Sequence, residues 1–150
     1  MVPQTIVSCR DRAGRNNALV VGFTANVSLD PPMVMVGIVP TRFSHHMVKE
    51  TNCFVINLPK KPFKKEYDYL GSRSGRDVDK FEALEMKWED AQMVNAPTLT
   101  DCPVSIECSV VESIQPGTHE LFIGKVEAVR VDEEYLDQSG NILWEKMDLL

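Results

Sequence analysis

Apolar residues in this chain fall into short runs separated by turn formers, and their spacing predicts strands more often than helices. Thr5 to Cys9 and Ala18 to Thr24 are β-branched and apolar, and DRAGRNN between them is rich in turn formers, which predicts a hairpin. Met33 to Val39 is apolar on both sides, as in a strand covered on both faces, and Cys53 to Leu58 reads as another strand. From Pro103 to Val111 the alternation is clean: Val104, Ile106, Cys108 and Val110 point one way, Ser105, Glu107 and Ser109 the other. Pro116-Gly117 turns the chain, and Leu121 to Val131 returns as a long strand in which Gly124 marks a bulge or a close backbone approach. Two segments read as short helices: SHHMVKETN, with Ser44 as N-cap and Met47 and Val48 on one side, and Lys61 to Leu70, opened by Pro62 and stopped at Gly71. Asp132 to Asp137 and Asn141 to Leu150 read as short terminal elements. The closing Leu149 and Leu150 need cover from the core or a partner subunit. With no regular strand-helix-strand alternation, the pattern predicts a mainly β, closed antiparallel barrel with a few short helices.

Two stretches do not fit a simple core. In FTANVSLDPP, Thr24, Asn26 and Ser28 alternate with Ala25, Val27 and Leu29, so an extended segment carries hydroxyls and an amide on one face. Asp30-Pro31-Pro32 is expected to fix an extended exit, because proline restricts itself and its predecessor and donates no ladder hydrogen bond. SRSGRDVDKFE, residues 72 to 82, mixes Ser, Gly, Arg, Asp and Lys, which makes poor core but a good ordered loop.

Composition narrows the functional classes. At 150 residues, 43% apolar and 25% charged, the chain fits one domain, residues 1–150. A net charge of −6 argues against nonspecific nucleic-acid or anionic-membrane binding. The longest apolar run, Pro31 to Pro40, is too short to span a bilayer, and Met1 to Arg10 lacks the basic-then-apolar order of a leader, so a cytoplasmic location is expected. Cys9, Cys53, Cys102 and Cys108 form no CxxC pair, and Cys102 and Cys108, six apart in extended chain, would lie about 20 Å apart, so buried reduced thiols are expected. GxGxxG, GxxxxGK[ST], GxSxG and HExxH are all absent. His45 and His46 cannot both face one site from a regular helix, and no metal is expected. The acidic clusters at Asp77 and Asp79 and at Asp132 to Glu134 read as solvated surface.

Taken in order, FTANVSLDPPMVMVGI, PTRFSHH, FVINLP, SGRDVDKFE, IEC and GTHELFIGKV resemble the flavin reductase-like family of FMN-binding split barrels, in particular its flavoredoxin branch, from about Pro3 to about Leu150. Thr118 stands where the family often has an acid. The resemblance implies a split β-barrel, a homodimer, and FMN bound without a covalent link near the subunit interface. It also implies electron transfer from NADH, NADPH or a reduced protein donor to flavin, ferric iron or a protein acceptor; the other reading is a non-catalytic module that stores or senses FMN.

An isoalloxazine ring needs an apolar slot and hydrogen-bond partners along its pyrimidine edge, a format matched by Thr24, Ala25, Asn26, Val27 and Ser28. Its phosphate needs fixed donors, which Arg42 and Ser44 at a helix start supply; Ser74, Arg76 and Lys80 are expected to close over it, with Asp77 and Asp79 pairing with the loop's own cations. His119 is the candidate catalytic residue, placed to orient a donor over the ring. Hydride transfer needs stacking more than a proton shuttle, so the missing catalytic dyads are consistent with this chemistry.

Overall fold

The chain passes from one edge of its main sheet to the other across a single residue, Gly22, and this fixes the architecture. The computed structural model describes residues 4–150. In chain order the strands are β1 (Thr5–Arg10), β2 (Asn16–Val21), β3 (Phe23–Leu29), β4 (Pro32–Ile38), β5 (Cys53–Leu58), β6 (Trp88–Asp90), β7 (Pro97–Leu99), β8 (Val104–Ile114) and β9 (Glu120–Val131). Seven of them form a sheet ordered β2-β1-β5-β8-β9-β4-β3, every pairing antiparallel, while β6 and β7 form a separate hairpin. Because β2 and β3 are opposite edges joined at Gly22, the sheet must curl into a barrel with a seam. The Thr5 hydroxyl donates to the carbonyl of Val21, its partner on β2, at 2.7 Å, and across the seam it lies 3.0 Å from the Thr24 hydroxyl.

The barrel is buried on two sides. Val7, Cys9, Val34, Val36, Phe54, Ile56 and Phe122 fill its interior. Ile6 and Ala18 face outward, under Phe63, Leu70, Phe81 and Leu99. These last come from a 3-10 turn at Lys61–Phe63, from α2 (Lys64–Ser72), from α3 (Lys80–Ala83) and from β7. This explains why β1 and β5 are apolar at consecutive positions.

The polar side of β8 is covered rather than wet. Asn57 donates to Ser8 Oγ at 2.9 Å and to the Ile6 carbonyl at 3.2 Å, and accepts from Leu99 N at 3.0 Å and Ser105 Oγ at 3.1 Å. Buried Glu107 accepts from the amides of Gln92 and Met93 at 3.1 and 2.7 Å. Polar groups excluded from water are thus satisfied by the chain that covers them. All four cysteines are buried and unpaired. Leu149 packs on the core, and Leu150 N donates to the Pro59 carbonyl at 2.9 Å.

Four local expectations are corrected. Ala18 to Thr24 is not one strand, because Gly22 marks the change of edge. Asp30-Pro31 is not an extended exit: Leu29 pairs with Pro32, so the two residues form the turn of the β3–β4 hairpin, in which the Asp30–Pro31 peptide bond is cis. The helix α1 (Phe43–Thr51) begins one residue before Ser44; its N-cap is Arg42, and α2 runs through Gly71 to Ser72.

Gly124 is a close approach, as the pattern requires: a Cβ there would lie 2.7 Å from Phe54 Cζ and 2.8 Å from Cys108 Cβ. Gly124→Val is therefore expected to lower stability by about 1–3 kcal/mol through overpacking. Urea denaturation measures this, and an unchanged midpoint would contradict the packing described.

Candidate functional site

Beside the start of α1 lies a pocket of about 280 Å³, built from that helix terminus and from the loop that follows α2. Arg42 holds an extended backbone (φ −69°, ψ 141°), and no side chain caps the helix. His45 N donates to the Arg42 carbonyl at 3.1 Å, which leaves the Phe43 and Ser44 amides without an intrahelical partner, and the helix dipole favours an anion at that point. The Ser44 hydroxyl is turned inward, where it accepts from Asn17 Nδ2 at 2.8 Å.

The loop from Arg73 to Asp79 is tightly turned. Ser74 Oγ accepts from Arg76 N at 3.1 Å, and the Ser74 carbonyl accepts from Asp77 N and Val78 N at 3.0 and 3.2 Å. Gly75 sits directly on the helix start: a Cβ there would lie 2.6 Å from Phe43 Cδ2 and 2.9 Å from Asn17. Arg76 Nη2 donates to the Thr41 carbonyl at 3.3 Å, closing the loop over the pocket. Asp79 accepts from Glu82 N at 3.1 Å as the cap of α3. Neither Asp77 nor Asp79 pairs with a loop cation among the described residues, which corrects that expectation. Asp79 instead serves a helix N-terminus, where a short carboxylate satisfies an otherwise free amide.

Arg42, Ser44, Ser74, Arg76 and Lys80 all line this pocket. Arg73 joins them, although the sequence analysis did not single it out; its signal is the Ser-Arg-Ser spacing at the loop's start. Against these cations stands one lining carboxylate, Asp77, in a chain that is acidic overall. Lys80 differs from the arginines. Only 3% exposed, its ammonium donates to the carbonyls of Ala18 at 2.8 Å and Leu70 at 2.9 Å, so it ties the loop to β2 and α2. Burial, with a smaller contribution from the nearby Arg42 charge, pushes its pKa down to about 8.

Thr24 to Ser28 lie on β3, outside the lining of this pocket. Val20 lines the pocket and Phe23 opens β3 just beyond Gly22, so strand and pocket share one end of the barrel. Among the described residues β3 pairs only with β4 and leaves one backbone edge unpaired. A bulge at Val27 corrects the single polar stripe: Asn26 faces Val34 and Ser28 faces Met33, adjacent residues that point to opposite sides. Ala25, Val27 and Leu29 are exposed, Leu29 at 90%.

His119 is half-buried at the same end, edge-on to the Phe23 ring at 4.4 Å, with Nδ1 2.8 Å from the Thr118 hydroxyl; its Nε2 makes no hydrogen bond among the described residues. His45 and His46 diverge: His45 Nε2 lies 2.7 Å from buried Glu120, whereas His46 pairs with Glu50. Among the described residues no cluster of His, Cys, Asp or Glu has metal-binding geometry.

The flavin reductase like domain matches residues 2–146. The chain belongs to the flavin reductase-like family. Its fold superposes on the flavoredoxin of Desulfovibrio vulgaris (Miyazaki F) with a TM-score of 0.92 and 28% identity, covering 98% of this chain and 79% of that one. For the flavoredoxin of Methanosarcina acetivorans the TM-score is 0.91 at 30% identity, over 99% and 77% of the two chains. In sequence, the NADH:riboflavin 5'-phosphate oxidoreductase of Streptomyces pristinaespiralis is 28% identical over 147 residues, 97% of this chain and 78% of that protein. A Shewanella frigidimarina protein described as having a split barrel domain, 21% identical with a TM-score of 0.87, agrees in fold. The mainly β, antiparallel split-barrel expectation is thereby met.

Lys80 gives the site a pH signature. Its folded pKa of about 8 lies below the unfolded 10.5, so between those values the unfolded chain binds more protons and stability rises with pH. Relative to Lys80→Met, the wild type should gain on the order of 3 kcal/mol from about pH 8 to pH 10.5, read by urea denaturation across that range. A flat or falling difference would mean that Lys80 is not held as a desolvated cation.

Proposed function

We propose that the chain is an FMN-binding oxidoreductase of flavin reductase or flavoredoxin type, passing electrons from NADH, NADPH or a reduced protein donor to flavin, ferric iron or a protein acceptor. The observation that carries this reading is the pocket at the α1 terminus, where an uncapped helix start and Arg42, Arg73 and Arg76 face one carboxylate. A phosphate monoester is the ligand such donors suit. The β3 edge left unpaired among the described residues, with its backbone donors and acceptors and the exposed Val27, fits the edge and face of a flat heteroaromatic ring at the same end of the barrel. The residues present therefore fit FMN: Arg42, Ser74 and Arg76 at the phosphate, Thr24 to Ser28 along the ring.

Bound there, FMN supplies two-electron chemistry that no side chain can. The protein's own work is placement. His119, held by Phe23 and Thr118 with Nε2 unengaged, orients the donor at the start of β3. The cationic pocket fixes the phosphate, so the ring sits in register with the strand edge.

In this reading the molecule is a homodimer. Ile114, Leu121, Gly37 and Phe23 form one cross-strand row over β8, β9, β4 and β3, and Ile114, Phe23, Val27 and Leu29 are exposed. A second copy covering that row would also wall the ring site. Unpaired buried thiols suit a reducing cytoplasm. No helix is long and apolar enough to cross a membrane among the described residues.

Arg42→Ala should weaken FMN binding about ten- to a hundredfold while leaving riboflavin binding nearly unchanged, because only FMN carries the phosphate. Fluorescence titration of both flavins decides it, and equal weakening would place the phosphate elsewhere. His119→Ala should preserve FMN affinity but slow anaerobic flavin reduction by the donor about ten- to a hundredfold in stopped flow. An unchanged rate would reduce His119 to a surface residue.

A further inference from the structure

The guanidinium of Arg15, on the β1–β2 turn, makes its hydrogen bonds with the loop that carries Arg73 and Arg76, and no ion pair among the described residues. Its Nη2 donates to the Gly75 carbonyl and, at 3.4 Å, to the Val78 carbonyl. The same guanidinium lies 4.8 Å from the centre of the Phe43 ring, and Arg76 lies 5.9 Å from that ring. Phe43, first residue of α1, is therefore flanked by two guanidinium groups, with Gly75 pressed against it where no Cβ fits.

This arrangement solves an electrostatic problem. Arg42, Arg73 and Arg76 converge on one small pocket lined by a single carboxylate, so without an anion their like charges repel one another. Arg15 adds a further cation, yet it spends its donors on loop carbonyls and its face on an aromatic ring, interactions indifferent to the loop's own charge. Its reach across the cleft sets the distance between the loop and the helix start before a ligand arrives.

We propose that Arg15 is a positioning residue for anion binding: it pre-seats the 73–79 loop on Phe43, so that the loop's arginines meet a phosphate monoester without a prior ordering step. The claim rests on the FMN reading for the identity of the ligand, but the seating does not. A ligand that must first order its loop binds more weakly by the fraction of molecules already competent.

The test uses Arg15→Met, which keeps an apolar stem over Phe43 and removes both carbonyl bonds, and Arg15→Lys, which restores one charged donor without the planar fork. Without flavin, amide hydrogen exchange of residues 74–78 should accelerate in Arg15→Met at an unchanged melting temperature, and partly recover in Arg15→Lys. FMN should bind Arg15→Met about tenfold more weakly, with riboflavin affinity within about twofold of wild type. Unchanged exchange in the loop overturns the proposal, and so does equal weakening of both flavins. If exchange accelerates but the wild type itself fails to prefer FMN to riboflavin, the seating stands and the FMN reading falls.

Discussion

The seam at Gly22 is the constraint on which the rest of the structure depends. β2 ends one edge of the sheet and β3 begins the other, so the sheet has to curl, and β3 is left with one backbone edge unpaired among the described residues. Closure also sets where side chains go: Val7 and Cys9 point into the barrel while Ile6 points out, and both faces of β1 need cover. α2, α3 and the β6–β7 hairpin supply the outer cover, and the loop between α2 and α3 is thereby brought against the start of α1. The pocket is a by-product of roofing the barrel.

Charge then distinguishes this corner of an acidic protein. Elsewhere cations pair locally, as Lys64 does with Asp68 and Arg130 with Asp132. At the α1 terminus Arg42 and Arg73 make no ion pair among the described residues. Such a concentration is costly in the free protein and favourable once an anion is present. Lys80 belongs to the structure rather than the surface of this site, since its ammonium is bound by two carbonyls that join β2 to α2.

Much of the frame was legible in sequence because it follows from periodicity. The largely apolar Cys53–Leu58 reads as a strand, and it is one, buried throughout; Gly124 marks a contact too tight for a side chain. What escaped depends on partners distant in sequence. Ser44 reads as a cap, yet its hydroxyl is taken by Asn17 from another strand. Ser105 and Glu107 read as the polar face of an alternating strand, yet both are buried, and Glu107 is taken by the amides of Gln92 and Met93 between β6 and β7, cover that local pattern does not encode. Arg15 looked like turn filler because both acceptors are backbone carbonyls about sixty residues away, which leave no mark on side-chain composition. The bulge at Val27 was hidden for a related reason: it arises from register with β4, not from the alternation within β3.

The central claim is that the helix start, the arginine loop and the strand edge together hold FMN for electron transfer. An anaerobic absorbance titration tests it most directly: purified protein is saturated with FMN, passed through a desalting column, and then mixed with NADH or NADPH. The protein is expected to emerge yellow, and its visible absorption to bleach on addition of the donor. A protein that emerges colourless would contradict it.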